Sequence, residues 1–136
     1  MRRLIVCQFG AGEAARIDLF WSRMLKELRK DSAALPRSAV LRALTRKGLD
    51  LTAADRTVKP DTILRDVTAV RFEYLLTERD YERLSERQDR WPSAAPPMAC
   101  FLRPILRTAL QVAELQADFA NEVVLARMSR RKEREP

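Results

Sequence analysis

The chain opens on a short apolar and β-branched run, Leu4 to Phe9, which reads as a strand halted by the turn Gly10-Ala11-Gly12. From Glu13 the period lengthens. Ile17, Phe20, Trp21, Met24, Leu25 and Leu28 share one helical face, while Arg16, Arg23, Lys26 and Lys30 fall elsewhere. Asp31-Ser32 and Pro36 end that helix. Ser38 can cap a second one, with Val40, Leu41 and Leu44 on its buried face and Gly48, after Arg46-Lys47, as its stop. The polar stretch from Asp50 to Asp66, which contains Pro60, reads as a linker with a helical turn near Leu64.

The same order then returns. Val70, Phe72, Tyr74 and Leu76 alternate with Arg71, Glu73 and Leu75, the signature of a half-buried strand. Thr77 follows as an N-cap with Asp80 behind it, and Leu76 and Tyr81 occupy the two positions of a hydrophobic staple. Tyr81, Leu84, Gln88 and Trp91 mark one face of the next helix. After Pro92, Pro96 and Pro97 another helix begins near Met98, carrying Phe101, Leu102, Ile105, Leu106, Ala109 and Leu110. Its pattern runs on through Val112, Leu115, Phe119 and Val123 to a basic tail. Pro104 should kink this helix or delay its start.

Composition narrows what such a chain can do. Its 136 residues suit one shared core, and 46% hydrophobic content is too much for a disordered chain. Lys and Arg number 26 against 19 Asp and Glu, a net charge of +7 that draws the chain toward polyanions. Histidine is absent, which removes the commonest general base and metal ligand together. Cys7 and Cys100 cannot form a zinc site alone, and they read as small buried hydrophobes in a reducing cytoplasm. Trp21 and Trp91 read as core residues. No apolar stretch is long enough to span a membrane, so a soluble protein without cofactor, metal or enzymatic activity is expected.

The two halves match best at their last helices, where Pro36-Arg37-Ser38-Ala39-Val40-Leu41-Arg42 lies beside Pro97-Met98-Ala99-Cys100-Phe101-Leu102-Arg103. Neither strand-helix-helix unit can bury its apolar faces alone. Two together can, by pairing their strands antiparallel over interlocked helices. The expected fold is therefore mainly α with a two-stranded antiparallel β-ribbon. Residues 1–50 form the first unit, 51–66 the linker, 67–126 the second unit with an extended last helix, and 127–136 the tail.

In its strand Val70 to Leu76 with Thr77 after it, and in its helices Ser38 to Leu49 and Phe101 to Leu110, the chain resembles the ribbon-helix-helix DNA-binding family in its single-chain tandem form. Members with that form include TraY-type relaxosome proteins and the overdrive-binding accessory protein of T-DNA transfer. The resemblance implies a monomeric pseudo-dimer that inserts its ribbon into the major groove of double-stranded DNA. It also implies a relaxase or other transfer proteins as partners, further assembly on DNA, and a role in conjugative transfer or in autoregulating repression.

If Leu76 points inward, so do Tyr74, Phe72 and Val70, which leaves Arg71, Glu73 and Leu75 on the free face. Arg71 suits guanine O6 and N7, and Glu73 suits cytosine N4. In the first strand, an inward Phe9 brings Cys7 and Ile5 with it and frees Leu4, Val6 and Gln8, with Arg2 beyond; a shift of one residue exchanges the faces. Gln8 would suit adenine, and the aliphatics thymine methyls. Phosphate contacts are expected from Arg3, from Arg37, Ser38 and Ala39 with Arg42, and from Met98 and Ala99 with Arg103, at the positive ends of the second helices. The tail, Arg127, Arg130, Arg131, Lys132 and Arg134, either grips flanking phosphate or keeps a helix end solvated. Two other classes stay open: an antitoxin whose segment after residue 60 wraps a toxin, and a helical adaptor binding protein through Leu110 to Val123.

Overall fold

A computed structural model describes residues 2–54 and 58–134, with residues 127–134 described by backbone alone. In chain order it contains β1 (Arg2–Phe9), α1 (Ala11–Leu28), α2 (Arg37–Leu51), β2 (Val70–Thr77), α3 (Glu78–Asp89), α4 (Met98–Ala113) and α5 (Phe119–Arg134). The molecule is mainly helical, with β1 and β2 paired antiparallel as a two-stranded sheet.

Alternation decides which face of that sheet is covered. Ile5, Cys7 and Phe9 from β1 and Phe72, Tyr74 and Leu76 from β2 are buried, and the rings of Phe9 and Phe72 meet at 5.3 Å between centroids. Beneath them α2 packs against β2 and α4 against β1, so each second helix supports the strand of the other half. Val70 was expected inside. It is exposed as the first residue of β2, where the chain enters from the linker, although its partner Phe9 is buried.

The two second helices cross at Gly48. A Cβ there would stand 2.4 Å from the Ile105 backbone oxygen, so only glycine permits this approach. The expected helix stop is thus a crossing point, and α2 continues to Leu51. Pro36, not Ser38, is the N-cap of α2. Gly10 alone joins β1 to α1, and Gly12 is already helical. Thr77 caps α3 as expected, accepting from the Asp80 N–H at 3.2 Å.

Pro104 neither ends nor delays α4, which begins at Met98. Lacking an N–H, it leaves the Cys100 carbonyl without its helical donor. The linker supplies one: the Asp61 N–H donates to Cys100 O at 2.8 Å. No helical turn forms near Leu64. The expected long last helix is broken at residues 114–118, where Arg23 donates to Glu114 O at 2.7 Å and to Gln116 O at 3.1 Å. These bonds satisfy carbonyls that an unbroken helix would have used itself. Beyond the break, α5 folds back and seats Phe119 and Val123 in the core, with Phe119 5.5 Å from Phe20.

Candidate nucleic-acid interface

The uncovered face of the ribbon is set by the register. Leu4 pairs with Leu75, Val6 with Glu73 and Gln8 with Arg71, and paired residues point the same way. Leu4 is 59% exposed and Val6 37%, while the Arg71 and Glu73 side chains are 61% and 50% exposed. Gln8 is exposed, Leu75 half-buried, and Arg2 half-buried at the rim. All seven residues expected to read bases therefore share one surface, and Phe9, Cys7 and Ile5 are the inward set of β1. On this surface Arg71 and Glu73 form an ion pair at 2.8 Å along the same strand.

Only part of the expected phosphate set is on the surface. Arg3 is exposed on the opposite side of β1 and lies over the Tyr81 ring at 4.7 Å. Arg37 is half-buried, stacked 4.2 Å from the Phe72 ring centroid and bonded to Asp18 at 3.0 Å. Ser38, Met98 and Ala99 are half-buried in the first turns of their helices. Ala39 is buried, and its N–H is taken by Pro36 O at 3.0 Å. The side chains of Arg127, Arg130, Arg131, Lys132 and Arg134 lie outside the described residues.

Arg42 and Arg103 require correction. They are 2% and 3% exposed, and both serve the interior. Arg42 Nε donates to Leu75 O at 2.9 Å. Arg103 donates to Gln8 O at 3.4 Å, to Asp61 Oδ2 at 3.3 Å and to Thr62 O. Each fastens a second helix to the backbone of the other half's strand.

These two bonds fall at matching positions. Each arginine stands six residues after its N-cap proline, Pro36 or Pro97. Gly10 and Thr77 are likewise matching N-caps at the ends of the strands. Counting back from them pairs Phe9 with Leu76, Gln8 with Leu75, Cys7 with Tyr74, and Val6 with Glu73. Leu75 and Gln8, the two carbonyl acceptors, are thus counterparts.

Asp61 was missed as a structural residue. Burial pushes its pKa up, but the guanidiniums of Arg107, at 2.8 Å, and Arg103 outweigh this and hold the carboxyl below its usual range. The signal was legible: Pro104 opens a carbonyl in a helix with arginines on either side of it. Burial raises the Cys7 thiol to about 12, so it remains protonated, and Cys7 and Cys100 are both free and buried as expected. Trp21 and Trp91 flank the core half-buried; Trp21 donates to Leu35 O at 2.9 Å, and Trp91 meets Phe101 edge-on at 5.9 Å.

A separate cleft of about 430 Å³ lies between the start of the linker and α3–α4, lined by Lys59, Arg87, Arg90, Trp91 and Phe101 among others. No residue of the ribbon's outer face lines it. Among the described residues no group of three or more His, Cys, Asp or Glu could hold a metal ion, and no helix is long and apolar enough to cross a membrane. No family model matches the sequence, and neither curated proteins nor solved structures contain a match.

Proposed function

We propose that this chain binds double-stranded DNA through the outer face of its β-ribbon, as two strand-helix-helix units fused into one pseudo-symmetric body. The observation that carries the reading is the open ribbon itself. Its three central outer pairs, Leu4·Leu75, Val6·Glu73 and Gln8·Arg71, face away from the helical floor, and of the six residues only Leu75 is half-buried. A two-stranded ribbon of this width fits the major groove, where base edges are distinguishable. The net charge of +7 supplies the nonspecific attraction to phosphate.

The fused-pair reading is supported by the matching arginine bonds, Arg42 to Leu75 O and Arg103 to Gln8 O. It is also supported by the register. Val6 and Glu73, counterparts in the two halves, are paired with each other, as residues on a two-fold axis would be. The remaining phosphate candidates are Arg3, Arg37, Ser38, Met98 and Ala99. Against the antitoxin alternative stands the seating of residues after 60, since β2 and α4 contribute Phe72, Tyr74, Leu102 and Leu106 to the common core. A tail that wraps a toxin would not be needed to complete its own domain.

As a binder that breaks no bond, the chain would serve as an accessory factor in conjugative or T-DNA-type transfer, recruiting a relaxase, or as an autoregulating repressor. The test is duplex affinity measured by fluorescence anisotropy from about 50 to 200 mM salt. A protein making about six phosphate contacts should lose roughly a thousand-fold over that range. A flat salt response overturns the proposal.

A further inference from the structure

We infer that the ribbon reads a duplex site with chemical polarity: a purine-bearing end under Arg71 and Gln8, and a thymine-methyl end under Leu4 and Leu75. The inference rests on the DNA-binding reading above. A ribbon made by two identical chains presents identical residues at counterpart positions and so favours a palindromic site. Here the buried counterparts keep their roles, whereas the outer ones change chemistry.

Counting from the two caps, Leu4 corresponds to Arg71, Val6 to Glu73, and Gln8 to Leu75. The antiparallel register then sorts these residues by end. Gln8 and Arg71 are paired across the strands toward one end of the outer face, and Leu4 and Leu75 toward the other, with Arg2 and Thr77 beyond them at the rim. At about 3.4 Å per residue the ends lie about 14 Å apart, roughly four base pairs of B-DNA.

Each end has one matching chemistry in the groove. Guanidinium and carboxamide groups make bidentate bonds to guanine and adenine, while aliphatic side chains have only the thymine methyl to meet. Glu73, 2.8 Å from Arg71, steadies the guanidinium beside it. Its counterpart Val6 has no charge to offer, which adds to the contrast between the halves.

Selection of the full chain against a randomised duplex pool tests this, followed by base analogues in the selected site. The expected motif is non-palindromic, with guanine or adenine at one end and T·A pairs about four positions away. Substituting 7-deazaguanine at the purine end should weaken binding about 5- to 100-fold, and Arg71→Ala should abolish that sensitivity. Uracil in place of thymine should weaken it about 3- to 10-fold, with the sensitivity lost in Leu4→Ala. Because Leu4 is the counterpart of Arg71, Leu4→Arg should shift selection at the thymine end toward guanine. A palindromic motif, or uracil substitution without effect, overturns this inference and leaves duplex binding intact. No enrichment together with no salt-dependent duplex affinity overturns both.

Discussion

The two halves of this chain agree where they are buried and differ where they meet solvent. Arg42 and Arg103, in different helices, each donate to the strand of the other half at counterpart carbonyls, while Leu4 and Arg71, counterparts on the outer face, have nothing in common. Burial explains the agreement. A second helix laid under a strand must satisfy the same backbone acceptor and fill the same groove in either half. No such constraint acts on the outer face, where side chains are free to answer to a ligand. The two sets of positions separate the scaffold from the outer face proposed to meet DNA.

The agreement has limits, and the sharpest lies at the helix crossing. Gly48 in α2 corresponds by position to Ala109 in α4, where a methyl is accommodated in the core, whereas a Cβ at Gly48 would meet the Ile105 backbone oxygen. Gly48→Ala should therefore cost about 3 kcal/mol in urea unfolding, since the Ile105 carbonyl must give way. Ala109→Gly should cost only about 1 kcal/mol, from helix propensity and a lost methyl. Equal costs would mean that the crossing is symmetric.

The arginines test the shared feature. Arg42→Met and Arg103→Met should each destabilise by about 2 kcal/mol, because each removes a buried guanidinium's bond to a strand carbonyl. Arg103 should cost the more, since Asp61 also loses one of its two guanidinium partners and keeps only Arg107. If either substitution proves neutral, the matched bonds are incidental. Asp61→Asn should cost about 1 kcal/mol at neutral pH. Its folded pKa is depressed, so its contribution is complete above about pH 4, the unfolded value, and is lost as pH falls through the lower folded value. Wild type should therefore weaken in acid while the variant changes less; parallel pH curves would remove Asp61 from the account.

The smallest effect concerns the first helix of each half. Arg29 closes α1 at φ 52° in the left-handed region, whereas Arg90 closes α3 at φ −83°. Arg29→Gly should stabilise by about 0.5–1 kcal/mol, by relieving a conformation that side chains disfavour. Arg90→Gly should instead lose a few tenths of a kcal/mol, from added freedom in the unfolded chain. Thermal melts of both variants give the comparison.

What was readable in advance follows the same division. The alternation from Val70 to Leu76 disclosed β2 and its faces apart from Val70, whereas β1 allowed two phases in sequence and the burial of Phe9, Cys7 and Ile5 selects one. The outer residues were legible as a consequence. Arg42 and Arg103 were not. Arginine belongs on surfaces by composition, and only their place beneath a strand with unpaired carbonyls makes them interior. Gly48 suggested a helix end because glycine after a basic pair has that local meaning, whereas its reason here is a neighbour distant in sequence. The break at residues 114–118 was hidden for a related reason: apolar spacing continued across it, and the Arg23 side chain that closes α4 comes from another helix. Long-range partners, rather than local propensity, decided each of these.

The central claim is that the outer ribbon is the surface that meets DNA. Backbone amide chemical shifts recorded while a short mixed-sequence duplex is added at low salt would test it most directly. The account predicts the largest perturbations along residues 2–8 and 71–75, with smaller ones at the starts of α2 and α4. Perturbations confined to α3 or α5 with a silent ribbon would contradict it.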